Sequence, residues 1–519
     1  MSNQSHTIEM SSSYFGVVTP FFTHTSASWL VRGLARGLIV TGLACLVSAA
    51  LAKGNANLQP CRQPGLPNEV LCGVIQRPLK PDEPGGRQIN VHYVVVPALA
   101  RQKSPDPIVF LAGGPGQSAI DLAPQLTALW SRGNSQRDLV LIDQRGTGLS
   151  APLMCQDEPR GNLSAQALAM QVARLRQCRD DLSSQPDVGG PEGLKWFTTS
   201  VAVQDFDAIR EALGAPQVNV VGGSYGTRVA LEWMRLFPEK IRRVVLDGAA
   251  PPDMALPYSS AQDGEAALES LFKACEQETA CAKKHPALRS KWDQLWKSLP
   301  QTATLDHPVD GRREMVSVTP DLLASWVRGP LYMPSLAAGL PAALSAAGQG
   351  RWEGLAGLNA VLSARQGLSR VALGMHFSVV CSEDAPRVPA MPQVPGSAQW
   401  NLSGQQLYAQ VCTDWPRAEV SPDFVKLPRS KVPVLILSGG LDPITPPRHG
   451  QRVAEALGPM ARHWVFPNAG HGLMGLGCIG DLILQFIHAK DDASALAVNH
   501  RCAEHIPRPP MFEPPGGAP

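Results

Sequence analysis

Between Val218 and Lys240 a run of strand formers meets Gly222-Gly223-Ser224-Tyr225-Gly226 and then turns into a helical pattern. A serine hydroxyl is a poor nucleophile until a base takes its proton, and the base needs a carboxylate to orient it. Both groups occur later in the chain. Asp442 follows the strand-like VLILSGG, and His471 follows WVFPN. Asp442 lies 218 residues after the serine (442 − 224) and 29 before His471 (471 − 442). The order Ser, Asp, His is the one expected when the nucleophile sits on a sharp strand-to-helix turn. The chemistry such a set performs is acyl transfer: Ser224 attacks a carbonyl, His471 takes its proton and later gives it up, and Asp442 holds the imidazole. Asp247 also ends a strand-like run and is the rival acid, while His449 and His463 flank a helix and lack the loop position.

A G-x-S-x-G match is weak evidence alone in a chain with 47 glycines. The strand before it and the helix after it are what give it meaning, because a turn that sharp leaves no room for side chains beside the serine. An oxyanion on the attacked carbonyl needs two amide donors. The expected donors are Tyr225, directly after the serine, and Gly114 in the early loop Gly113-Gly114-Pro115-Gly116, with Gly113 close behind.

The elements that must position these residues are legible as alternating strands and helices. Strand-like runs cover 72–79, 89–97, 107–114, 138–146, 217–223 and 241–248, and return at 432–440 and 463–471. Val203, Phe206, Ile209 and Leu213 recur at helical spacing, as do Val229, Trp233 and Leu236. Such alternation predicts an α/β fold with a mostly parallel sheet flanked by helices. Both later candidates and Ser224 would then stand at the carboxyl ends of strands. From 251 to 427 the pattern is mostly helical, broken by Pro and Gly, and is expected to be a helical cap inserted between core segments 53–250 and 428–505. The closing Pro/Gly-rich residues 506–519 are expected to be disordered.

The 519 residues are 44% hydrophobic and 17% charged with a net charge of +2, which suits a globular core and gives no sign of nucleic-acid binding. Arg32 and Arg36 precede the apolar run 37–52, and Ala50-Leu51-Ala52 fits a cleavage site. Residues 1–52 therefore read as a signal peptide, with an uncleaved anchor as the alternative and no stable membrane insertion after cleavage. Losing Cys45 with that segment leaves ten of the 11 cysteines. An even count in an exported chain reads as a disulfide framework, and near neighbours suggest Cys61–Cys72, Cys155–Cys178, Cys275–Cys281, Cys381–Cys412 and Cys478–Cys502. Buried free thiols are the alternative. No compact Cys/His cluster points to a metal, and no cofactor is expected.

The phrases GGPG (113–116), DQRGTGLS (143–150), GGSYGT (222–227), GGLDPITP (439–446) and GHG (470–472) together resemble the prolyl and tripeptidyl aminopeptidase branch of α/β-hydrolases. The resemblance spans Cys61 to Cys502. It implies an exported serine exopeptidase, periplasmic or secreted, that cleaves residues or short peptides from the free N-terminus of peptides. Ala112 stands where prolyl aminopeptidases usually carry His before GGPG, which leans toward the tripeptidyl-type relatives. Asp143 and Arg145 of DQRGTGLS are expected to form a buried ion pair. A desolvated substrate ammonium requires a carboxylate. Glu383 and Asp384, in a loop that a Cys381–Cys412 bridge would pin, are the candidates. The motif CxxWP is echoed at Cys412–Pro416. A secreted esterase or lipase with the same triad is one alternative function, and a non-catalytic hydrolase-fold binding protein another. Oligomeric state stays open.

Overall fold

Every residue from Val434 to Gly439 is buried, as is every residue of Leu139–Ile142 and Ile108–Leu111. Strands covered on both faces read as continuous apolar runs rather than as alternation. In a computed structural model that describes residues 57–512 apart from 131–132, 157–162, 164–166, 367–369 and 391–401, these runs lie inside one nine-stranded sheet. Its strands are β1 (Gln59–Cys61), β2 (Val70–Pro78), β3 (Gln88–Val96), β4 (Ile108–Leu111), β5 (Leu139–Ile142), β6 (Val218–Gly223), β7 (Ile241–Asp247), β10 (Val434–Gly439) and β11 (Ala461–Phe466), with β8 (Gln301–Asp306) and β9 (Arg313–Val318) lying elsewhere. Their spatial order is β1-β2-β3-β5-β4-β6-β7-β10-β11. The strands from β5 to β11 pair in parallel, and β1, β2 and β3 add an antiparallel edge.

Successive side chains of a strand point to opposite faces. Val109, Val140, Ile142, Val220, Val244 and Ile436 accordingly enter one apolar cluster. Their chain neighbours Ile108, Phe110, Leu139, Leu141, Val221, Val245, Leu435 and Leu437 enter the other. Five helices bear on the site: α1 (Thr199–Ala212), α2 (Tyr225–Leu236), α3 (Pro320–Leu331), α4 (Leu373–Glu383) and α5 (Leu402–Asp414). Val203, Phe206, Ile209, Val229 and Trp233, at the helical spacing of the sequence, all pack in the first cluster.

A third cluster has Leu268, Phe272, Trp292, Trp326, Leu340 and Trp352 among its members and is built largely from the segment expected to be helical. Two findings depart from that expectation. A hairpin of β8 (Gln301–Asp306) and β9 (Arg313–Val318) forms within it. Met375, Phe377, Val379 and Cys381 of α4, with Val411, Cys412 and Trp415, pack against the sheet's own cluster rather than the third. Of the tail expected to be disordered, residues 506–512 are placed: Met511 is buried in the third cluster and Phe512 N–H donates to Ala338 O at 2.9 Å. Residues 513–519 and the signal-like residues 1–52 lie outside the described residues.

Five disulfides join Cys61–Cys72, Cys155–Cys178, Cys275–Cys281, Cys381–Cys412 and Cys478–Cys502, the five pairs of near neighbours. Among the described residues no helix is long and apolar enough to cross a membrane.

Candidate active site

Ser224 occupies the single residue between β6 and α2, with φ 54° and ψ −122°. A non-glycine residue in that region carries about 1–3 kcal/mol of strain and persists only where its surroundings over-determine it. Here its N–H donates to Asp247 O at 2.8 Å, and its carbonyl accepts from Thr227 N–H at 2.9 Å and Thr227 Oγ1 at 2.6 Å. The flanking glycines are a matter of space. A Cβ on Gly222 would lie 2.4 Å from Gly226 O, and one on Gly226 would lie 2.1 Å from Leu111 O. The strand-to-helix corner therefore closes only with both positions bare.

His471 and Asp442 meet at the same edge of the sheet. Asp442 lies in the loop after β10, and its Oδ2 accepts from His471 Nδ1 at 2.8 Å. Thr445 Oγ1 donates to that Oδ2 at 2.7 Å and lies 3.1 Å from His471 Nδ1. The amides of Ile444 and Thr445 donate to Oδ1 at 2.8 and 2.9 Å. A carboxylate can only accept, so this arrangement puts the imidazole proton on Nδ1 and leaves Nε2 with a free lone pair. Burial alone would raise the carboxyl, yet the His471 charge and these hydrogen bonds hold it below the ordinary aspartate value. Burial alone would lower His471, but the charge and hydrogen bond of Asp442, with Asp247 adding, hold it above 6.5.

Asp247 does a different job from the one its position allowed. Its backbone carbonyl holds Ser224, while its carboxylate accepts the amides of Leu473 (2.7 Å) and Met474 (2.9 Å) just after His471. It thus ties the serine corner and the histidine loop to one point at the end of β7. Burial pushes its carboxyl up to about 6 against those two amides and the His471 charge. Tyr332, which had no sequence signal, accepts the His471 N–H on its carbonyl at 3.0 Å and sets its ring edge-on to the imidazole at 5.4 Å. Thr445 could have been suspected from its place three residues after Asp442, where a hydroxyl can reach back to a loop carboxylate.

The glycine loop after β4 lies against the serine, since a Cβ on Gly113 would be 3.3 Å from Ser224 Cβ. Gly114 and Gly116 take φ values of 110° and 111°. Tyr225 is the first residue of α2, so its N–H has no partner within the helix. Helix α4 braces the loop from outside. Ala372 N–H donates to Gly116 O at 2.9 Å, and His376 Nδ1 donates to Pro115 O at 3.1 Å. Since a carbonyl only accepts, neutral His376 carries its proton on Nδ1, and its Nε2 accepts a hydrogen bond from the Tyr408 hydroxyl at 2.6 Å.

Glu383 and Asp384 are not placed to meet a substrate. They lie at the end of α4 rather than in an open loop, and their exposures are 3% and 0%. Arg228 of α2 reaches both, at 3.4 and 3.1 Å. Glu383 also accepts from Thr199 N–H at 2.7 Å and from its hydroxyl at 2.9 Å, and Arg387 shares Oδ1 of Asp384 with Arg228 at 3.0 Å. Burial pushes Glu383 up to about 7 against the Arg228 charge. Thr199 Oγ1 in turn meets the Tyr225 hydroxyl at 2.7 Å. The acids therefore support the underside of the corner. The expected Asp143–Arg145 pair is also corrected. Arg145 pairs with Asp205 of α1 at 2.7 and 2.9 Å, whereas Asp143 accepts from Ser118 Oγ at 2.6 Å and from the amides of Ile120 and Leu149. An Asp on the apolar face of α1 was the available signal for that partner. Among the described residues no group of three or more His, Cys, Asp or Glu is arranged to hold a metal.

The chain resembles known proteins over most of its length. It is 25% identical over 501 residues to the tripeptidyl aminopeptidase of Streptomyces lividans, covering 90% of each chain. To the serine protease Hip1 of Mycobacterium tuberculosis it is 30% identical over 213 residues, 37% of this chain and 39% of the relative. To carboxylesterase B of the same organism it is 27% identical over 433 residues, 75% of this chain and 78% of the relative. A family model described as the alpha/beta hydrolase fold matches residues 106–477, from the strand that leads into the glycine loop to the turn beyond His471. The chain belongs to the α/β-hydrolase fold family.

Proposed function

We propose that this protein is an exported serine exopeptidase that releases residues or short peptides from the free N-terminus of peptides. The observation that carries the reading is the Asp442–His471 hydrogen bond, which points a basic Nε2 away from the acid at the sheet edge where Ser224 sits strained on its corner. Ser224 attacks the scissile carbonyl while His471 accepts its proton, and Asp442 with Thr445 keeps the proton of the ring on Nδ1. The amides of Gly114 and Tyr225 receive the oxyanion. His471 protonates the leaving amine, and water then releases the acyl-enzyme by the same route. The likeness to the tripeptidyl aminopeptidase supports a peptide substrate. The five disulfides support export through an oxidising compartment. No nucleic-acid partner and no cofactor enter this reading.

The likeness to carboxylesterase B favours a second reading, an esterase on the same triad. Reporter amides carrying one, two or three residues separate the two when offered with a free or an acetylated N-terminus, beside the matching esters. The exopeptidase reading expects acetylation to lower kcat/KM on amides by about 100-fold or more, as when a buried charge partner is left unmet. Esters turned over faster than amides, with no response to acetylation, would establish the esterase instead.

His471 must be neutral to act as a base, and its pKa is raised by Asp442. Activity is therefore present above that raised pKa and lost as pH falls through it. On a substrate that does not itself titrate there, kcat/KM should fall with a midpoint above about 6.5, the ordinary histidine value. A midpoint a full unit below that would mean that His471 is not the group being titrated.

A further inference from the structure

We propose that Arg328 is a specificity residue of this site and that it recognises a carboxylate on the substrate. The inference rests on the catalytic reading above and extends it to what the substrate carries. Arg328 stands in the last turn of α3, four residues before Tyr332, so the two side chains share one face of that helical turn. Tyr332 is the residue whose carbonyl and ring hold His471. On the other side, Tyr408 of α5 is bonded to His376, which is bonded to the carbonyl of Pro115 in the glycine loop. Burial raises the phenols of both Tyr332 and Tyr408, and the positive charge of Arg328 opposes that rise at each. Its guanidinium is thus within electrostatic reach of two rings, one tied to the base and one tied to the oxyanion loop.

Arg328 is half-buried and has no hydrogen-bond or ion-pair partner among the described residues. A guanidinium offers five N–H donors in a planar fork that fits a carboxylate, and no described residue meets any of them here. The acids whose charges act on the same two tyrosines are Asp442 and Asp384. Both are already engaged, Asp442 by His471 and Thr445 and Asp384 by Arg228 and Arg387. The helix dipole favours a cation in a last turn. It does not account for a half-buried guanidinium left without a partner one helical turn from Tyr332. An anionic group arriving with the substrate would complete the fork.

Two sources of carboxylate fit this chemistry, the C-terminus of a short peptide and an acidic side chain. The test uses two matched pairs on the full protein. One compares tri- and tetra-alanine as free acids with their C-terminal amides, and the other compares C-amidated peptides carrying Glu with the same peptides carrying Gln. The readout is the ratio of kcat/KM within each pair, which is insensitive to any loss common to both members. The wild-type ratio should favour the carboxylate by about 10- to 100-fold in one pair, the range for a charge-assisted hydrogen bond. Arg328→Gln should bring that ratio close to one, and Arg328→Lys should restore part of it. The pair that responds identifies the source. Wild-type ratios near one in both pairs, or a ratio that survives Arg328→Gln, would overturn the proposal. Loss of the exopeptidase reading would look different: no member of either pair would be cleaved, with Ser224 still labelled by a fluorophosphonate if the same triad serves an esterase and unlabelled if the site is not catalytic.

Discussion

Ser224→Ala should lower kcat by about 10⁵- to 10⁶-fold while the protein stays folded, because removing a triad nucleophile leaves only the oxyanion donors and substrate binding to act. The structural half of that expectation comes from how the corner is held. The hydrogen bonds that fix residue 224 use its own N–H and carbonyl, with Asp247 and Thr227 as partners. Alanine keeps all of them, and it keeps the Cβ that already tolerates φ 54°. The melting temperature should therefore move by no more than about 2 °C, the size of a change that touches no packed atom. A fluorophosphonate that labels the wild type should leave the variant untouched. Full activity in the variant would remove Ser224 from the mechanism, and with it the acyl-enzyme. A non-catalytic binding protein would show neither labelling nor turnover in the wild type.

The parts of this molecule visible in the sequence are those decided by local sterics or by burial on two sides. Gly222 and Gly226 announce the corner because any side chain there meets backbone atoms within 2.4 Å. The parallel strands announce themselves because both faces are covered, so Leu139–Ile142 and Val434–Gly439 are apolar throughout. The hairpin of β8 and β9 escaped notice because it is half exposed and short, with Thr302, Thr304 and Asp306 facing water in β8. The charged residues were hardest. Arg145 has a carboxylate two residues away in sequence, but its partner is Asp205, brought to it by the packing of α1 on the sheet. Glu383 and Asp384 carry no local mark of burial, since Arg228 lies 155 residues from the first of them. Distance in sequence likewise hid Tyr332 and His376 as neighbours of the site, since Tyr332 lies 139 residues before His471 (471 − 332) and His376 lies 261 after Pro115.

Asp442→Asn should cost about 10⁴-fold in kcat/KM, and the hydrogen bonds of the loop say why. Oδ1 accepts two backbone amides, from Ile444 and Thr445. An asparagine must place its carbonyl oxygen there, because its NH₂ cannot face two donors. The NH₂ then occupies the position of Oδ2 and points at His471 Nδ1. A donor at that place favours the tautomer with the proton on Nε2, and such a ring has no lone pair for the serine proton. Charge is lost as well, and with it the main reason for the raised His471 pKa. The residual activity of the variant should recover only at high pH, where the serine can ionise without its base. Asp247→Asn makes the contrast. Its carboxylate also accepts amides, those of Leu473 and Met474, but makes no hydrogen bond to the imidazole. An asparagine there can keep its oxygen toward those amides, so the loss should stay within about tenfold, the scale of one weakened hydrogen bond. If the two substitutions changed places in their effects, the orienting acid would be Asp247, and the proton on Nδ1 would have to be explained from the end of β7 instead.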